Sequence, residues 1–249
     1  MPGEAKLFVF QFPKESPLIN PSPFCIKLMA FYKIANLPHV VKYNTNAISK
    51  NPKKKLPFIE RDGKIIGDSR LIVDMYRKEG IDLDAHLTPY QKAISTAIQR
   101  TLEESTVWYG LRVRWISNLD VIIKTQFAGL PFYLVWLPYY IQRTMKNNLY
   151  AQGTGRLTEQ EQYTLAIQDV DAIETILKSS KTTYFHDSQS PTMVDIIAFS
   201  FTFALISVPV KDPLIDYFLK NCPSLLKLNA KMLETYFPKE YPHFANLFK

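Results

Sequence analysis

Ser22-Pro23-Phe24-Cys25 is the stretch that decides how this chain folds. An apolar run, Leu7–Phe12, comes before it and reads as a strand. After it, Ile26–Ala35 is an unbroken helical pattern. The tetrapeptide therefore stands where a strand hands over to a helix, with Ser22 at the N-cap and Pro23 at the first helical position. Its spacing is that of a C-P-x-C redox motif with serine at the first, nucleophilic place. The first turn of a helix has unpaired N–H groups and the positive end of the dipole, and both stabilise an anion. A thiol there has a lowered pKa. A serine cannot become a thiolate near neutral pH, but its hydroxyl can donate a hydrogen bond to a thiolate brought by a ligand. Ser-Pro is also an ordinary helix start, and the four residues alone do not separate the two readings.

The 249 residues, 47% of them apolar, suffice for a large core and one or two domains. The formal charge is +7, with no long basic tract interleaved with aromatics, so nucleic acid is not an expected partner. A modest basic surplus fits an anionic small molecule or a membrane surface. Cys25 and Cys222 are far apart and imply no disulfide framework, which points to a reducing compartment. The short N-terminal apolar run is followed by Pro13-Lys14-Glu15 and does not read as a signal peptide, so a cytoplasmic location is expected. The four histidines show no metal-ligand spacing, and no metal is expected. Leu130–Ile141, the most apolar run, is too short to span a bilayer and contains Pro131 and Pro138. It reads as a buried helix in preference to a membrane-facing loop.

Outward from the tetrapeptide, Asn36-Leu37-Pro38 ends the helix and His39–Tyr43 is a second strand. Asn51-Pro52 breaks the chain. Phe58–Glu60 and Lys64–Ile66 flank Arg61-Asp62-Gly63, a hairpin with Asp-Gly at its tip. Asp68-Ser69 caps a helix closed by Gly80. The order β-α-β-(α)-β-β-α makes a small mixed sheet with helices on its faces, over residues 1–82. From residue 88 to 249 the patterns are helical. Thr88-x-x-Gln91 is a capping box opening a long helix to about Trp115. Another helix spans roughly Leu130–Tyr150. Thr158-x-x-Glu161 opens a third, through Leu177. Thr192-x-x-Asp195 precedes Ile196–Ile206, a helix apolar nearly all round and so the expected buried centre. Two shorter helices follow, near 212–220 and 224–236.

Three elements of the first region converge. Ser22 stands at a helix N-terminus. Leu56-Pro57 opens a strand, a place for a cis bond that leaves the backbone N–H and C=O of Leu56 free to pair with an extended peptide. Asp68-Ser69 offers a second helix N-terminus for a carboxylate and an aspartate for an ammonium. A thiol, a peptide backbone and an α-amino-acid head together describe glutathione.

With Asn51-Pro52-x-x-Lys55-Leu56-Pro57 and Thr192-x-x-Asp195 included, the ordered set resembles the glutathione S-transferase superfamily over nearly the whole chain. Ser22-Pro23-Phe24-Cys25-x-Lys27, Lys55–Glu60, Gly153-Thr154-Gly155-Arg156, Asp169-Val170-Asp171 and Ser190–Asp195 resemble its failed-axon-connections (Fax) and metaxin-like branch. The resemblance implies an α/β thioredoxin-like N-terminal domain followed by an all-α C-terminal domain, the glutathione transferase fold. It implies glutathione as co-substrate and a homodimer. Carried over residue by residue, Ser22 donates to the glutathione sulfur, Leu56 pairs with the cysteinyl backbone beside Pro57, Asp68 and Ser69 hold the γ-glutamyl end, and Lys55 faces the glycyl carboxylate. Tyr109 and Arg112, on the long helix, are the residues expected to line a pocket for a small electrophilic second substrate.

The expected function is a glutathione-dependent transferase. Two alternatives stand beside it. One is a non-catalytic interaction or membrane-surface scaffold on the same fold. The other is a thiol transferase that uses Cys25. Ser22 stands ten positions after Phe12, so the position of its hydroxyl depends on how that loop is held.

Overall fold

The computed structural model describes residues 2–10, 18–128 and 131–248. Strand β1 is Ala5–Val9, helix α1 Pro23–Ile34, β2 His39–Tyr43, β3 Phe58–Arg61, β4 Lys64–Gly67 and α2 Ser69–Lys78. The sheet order is β2-β1-β3-β4. β1 runs parallel to β2, with Ala5 opposite His39, and antiparallel to β3, with Phe8 opposite Phe58. The rings of Phe8 and Phe58 stack at 4.5 Å. β1 stops at Val9; the predicted continuation through Gln11 and Phe12 lies outside the described residues. The hairpin tip is built as its residues require, with Asp62 at φ 51° and Gly63 at φ 72°. Helices α1 and α2 are joined by a buried Tyr32–Tyr76 hydroxyl contact at 3.0 Å.

The second half is all helix: α3 Pro89–Arg100, α4 Val107–Arg112, α5 Leu119–Gln126, α6 Leu137–Gln152, α7 Glu159–Lys178, α8 Met193–Ile206, α9 Pro213–Asn221, α10 Pro223–Tyr236 and α11 Tyr241–Phe244. This is the sheet-and-helix domain followed by an all-helical region that the resemblance implies. Capping boxes are present at Thr88, Thr158 and Thr192, where the sequence places helix starts. In the last, Asp195 accepts from the Thr192 N–H at 2.8 Å and also from the Phe185 N–H at 2.8 Å. Helix α8 is buried on every side, as its unbroken apolar composition requires. It packs against α1 and so joins the two halves, with Phe24 meeting Phe201 edge-on at 5.1 Å. The linker is tied to the same helix: Asp84 accepts from the Met193 N–H at 2.9 Å and from Arg77 at 3.1 Å.

The long helix expected from Pro89 runs without a break to Ser117, with two π-helical stretches inside it, Thr101–Thr106 and Val113–Ser117. One expectation of the fold is corrected. The Leu130–Ile141 run is not a buried helix. Leu130 lies outside the described residues; Pro131 opens a 3₁₀ turn at Phe132–Leu134, and α6 begins only at Leu137. Phe132, Tyr133, Val135, Trp136, Tyr139 and Tyr140 are all exposed. Among the described residues no neighbouring element covers this tip, so its apolar composition does not translate into burial.

Candidate functional site

Ser22 is the N-cap of α1 in extended conformation (φ −97°, ψ 123°), and its hydroxyl caps no N–H of its own helix. Its backbone is fixed from behind. The Ser22 N–H donates to Asn20 Oδ1 at 3.1 Å, and Asn20 Nδ2 donates to the Phe10 carbonyl at 3.0 Å. The buried Asn20 thus ties the start of α1 to the end of β1, so the length of the intervening loop does not set where Ser22 stands. The Cys25 thiol lies inside the core with the Ser22 hydroxyl and the Phe10 N–H against it. Burial outweighs both and pushes the thiol up to about 12.

The Leu56–Pro57 peptide is cis. Leu56 stands outside strand and helix. Among the described residues neither its N–H nor its C=O is paired in a turn or cap. Asn51, fully buried, shapes this corner: its Nδ2 donates to the Lys55 carbonyl at 2.7 Å and its Oδ1 accepts from the Lys53 N–H at 3.1 Å. A Cβ on Gly67 would meet Asn51 Oδ1 at 2.3 Å, so glycine there is required by this close approach. Lys55 is exposed next to Leu56.

Asp68 holds a left-handed backbone (φ 79°, ψ 119°), unusual for a residue with a side chain, while its carboxylate caps α2 through the Arg70 N–H at 2.9 Å. Ser69, buried, is the first residue of α2. Behind this corner runs an ion-pair chain: Arg70 reaches Glu103 (3.6 Å) and Glu104 (3.1 Å), and Glu103 pairs with Lys27. The predicted contacts Ser22, Leu56 and Asp68 therefore stand at the start of α1, the start of β3 and the start of α2. β3 runs antiparallel to β1 and β4 antiparallel to β3, so all three positions lie toward the same end of the sheet, where β1 ends.

Tyr109 and Arg112 are placed elsewhere, and this corrects the expected second-substrate pocket. Tyr109 Oη donates to Asp212 at 2.9 Å. Arg112 reaches Glu159 at 2.9 Å and stacks over the Tyr109 ring at 5.0 Å. Both are buried inside the helical half. The π stretches change the register: their i→i+5 bonding turns the faces away from a 3.6-residue repeat. Three other residues of this helix, Thr106, Gly110 and Arg114, border a cavity of about 60 Å³ together with Pro23, Thr202 and Leu205. Arg114, unnoticed in the sequence, donates to the carbonyls of Pro21 and Ala204 and so bridges the turn before Ser22 to the central helix. Burial lowers its pKa to about 10, and no carboxylate offsets that loss. A lone arginine on a helix gives no sequence signal for such a bridge. Asn20 likewise gives no sequence signal, and Asn51 stands out in the sequence as a chain breaker in a family-like motif but not as the buried side chain that holds Lys55. Among the described residues no group of His, Cys, Asp or Glu could hold a metal ion.

Residues 23–120 match the glutathione S-transferase N-terminal domain model, and residues 166–232 the C-terminal domain model. The chain belongs to the glutathione S-transferase superfamily. It is similar to Failed axon connections of Drosophila melanogaster, with 26% identity over 93% of this chain and 58% of that protein. It is similar to Metaxin-2 of Homo sapiens, with 25% identity over 95% of this chain and 90% of the relative. The chain thus spans little more than half of the Drosophila protein. Among solved structures, the beta-etherase LigF from Sphingobium sp. strain SYK-6 superposes with TM-score 0.64 at 15% identity, over 96% of this chain and 99% of that one. A glutathione S-transferase from Methylobacillus flagellatus KT with glutathione bound superposes with TM-score 0.56 at 13% identity, over 95% and 98%.

Proposed function

We propose that this chain binds glutathione across the starts of α1, β3 and α2 and directs its thiolate at a small, mostly apolar electrophile. The observation that carries the reading is Leu56: among the described residues its N–H and C=O are unpaired, and it stands between two helix N-termini in the chain. A cysteinyl backbone pairs there as a short added strand. The γ-glutamyl ammonium meets the Asp68 carboxylate, and the γ-glutamyl carboxylate meets the first N–H groups of α2 at Ser69. Lys55 faces the glycyl carboxylate. Ser22 donates its hydroxyl to the sulfur.

The chemistry asked of the chain is modest. A hydrogen bond to an anion is worth about 1.5–3 kcal/mol, so Ser22 lowers the glutathione pKa by roughly one to two units. The thiolate lone pair forms the C–S bond. The displaced electron pair leaves with the leaving group, or stays on the oxygen of an opened ring, which then takes a proton from water. Cys25 does not compete as a nucleophile while its thiol is buried and protonated.

The test is titration of the thiol of bound glutathione in wild type and Ser22→Ala. A rise of about one to two pKa units in the variant is expected. An unchanged value removes Ser22 from its role, and the absence of glutathione binding in calorimetry removes the whole reading.

A further inference from the structure

The tip between α5 and α6 combines two properties that rarely coincide on a free surface. Phe132 is 86% exposed, Tyr133 62%, Trp136 55% and Tyr139 58%, with Pro131, Val135 and Tyr140 exposed beside them. The rings brace one another: Phe132 meets Tyr133 edge-on at 5.6 Å, Trp136 meets Tyr140 at 6.0 Å, and the Trp136 indole N–H donates to the Tyr133 carbonyl at 2.8 Å. The aromatic surface is thus held outward by contacts within the tip.

The charge around it has one sign. No acidic residue stands between Asp120 and Glu159, while Lys124, Arg143, Lys146 and Arg156 fall there, more than half of the chain's formal +7. Lys124, Arg143 and Lys146 are exposed, and among the described residues none has a carboxylate partner. On α6, Tyr139, Arg143, Lys146 and Tyr150 follow the i, i+4, i+7 and i+11 spacing of one helix face, and all four are exposed. Trp, Tyr and Phe flanked by unpaired cations is the composition that sits at the boundary between acyl chains and anionic headgroups. Among the described residues no helix is long and apolar enough to cross a membrane, so the tip can lie only in the interface.

We propose that residues 131–146 dock this protein onto an anionic lipid surface, with Phe132 and Trp136 entering the headgroup boundary and Arg143 and Lys146 pairing with lipid phosphates and carboxylates. The proposal is independent of glutathione binding. It is tested by co-sedimentation of the full chain with vesicles of phosphatidylcholine alone and of phosphatidylcholine with phosphatidylserine. Wild type is expected to pellet with the mixed vesicles, with its tryptophan emission shifted to the blue. Phe132→Ser/Trp136→Ser lowers partitioning by at least about tenfold. Arg143→Glu/Lys146→Glu lowers it by about fivefold or more for each charge reversed, on the mixed vesicles only. All four side chains are exposed, so both variants keep the wild-type melting profile. Wild type that stays in the supernatant overturns the proposal, and so does equal pelleting of all variants. It is overturned too if light scattering finds a dimer that Phe132→Ser/Trp136→Ser dissolves, because the occupant of the tip is then a second copy.

Discussion

Lys27 Nζ lies 2.6 Å from Glu103 Oε1, with both side chains almost wholly buried, at 1% and 2% exposure. The pair bolts α1, two residues beyond Cys25, to the first π stretch of the helical half. Burial depresses the Lys27 pKa, and Glu103 is what opposes that. Removing Glu103 leaves the buried Lys27 ammonium without its carboxylate, and removing Lys27 leaves the buried Glu103 with only the more distant Arg70 cation at 3.6 Å. Lys27→Met or Glu103→Gln is expected to cost about 3–5 kcal/mol in denaturant unfolding, and Lys27→Met/Glu103→Leu to recover most of it. Additive losses in the double variant would mean the pair is not coupled.

Cys25 supplies an alkaline signature. Its folded pKa of about 12 stands above the ordinary value of 9.0. The folded state therefore holds a proton that the unfolded chain gives up. The stability this confers is complete below pH 9 and is lost as pH rises through the folded value, at about 1.4 kcal/mol per unit between 9 and 12. Urea unfolding at stepped pH is expected to show this slope in wild type and a shallower one in Cys25→Ala, once the lower baseline of the cavity variant is subtracted. Equal slopes would mean that the thiol titrates normally in the fold.

Asp68 separates binding from stability. Its left-handed backbone costs about 1–3 kcal/mol that a glycine does not incur, whereas glycine as N-cap loses only a few tenths. Asp68→Gly is expected to melt at or above the wild-type temperature. Its glutathione affinity falls about tenfold, since the ammonium loses its carboxylate. Unchanged affinity in calorimetry would take Asp68 out of the site.

Tyr109 tests the corrected pocket. Its hydroxyl is committed to Asp212, which also caps α9 through the Leu214 N–H at 2.9 Å. Tyr109→Phe is expected to cost about 1.5–3 kcal/mol of stability with glutathione affinity and electrophile KM unchanged. A raised KM at unchanged stability would return Tyr109 to the substrate pocket.

What the sequence determined by itself is local. Ser22-Pro23, the helix starts at Thr88, Thr158 and Thr192, Asp62-Gly63 and Leu56-Pro57 each act over at most a few residues, and each has the predicted conformation here. That set was enough for the fold. Tertiary structure decided everything that depends on which neighbour covers a side chain. Asn20 holds Ser22 by reaching a carbonyl ten residues back, and Arg114 reaches carbonyls more than eighty residues away in either direction along the chain. Tyr109 lies buried because Asp212, more than a hundred residues along the chain, takes its hydroxyl. The aromatic run after Leu130 has a core-like composition, yet burial is a relation between surfaces, and at that tip no second surface meets it.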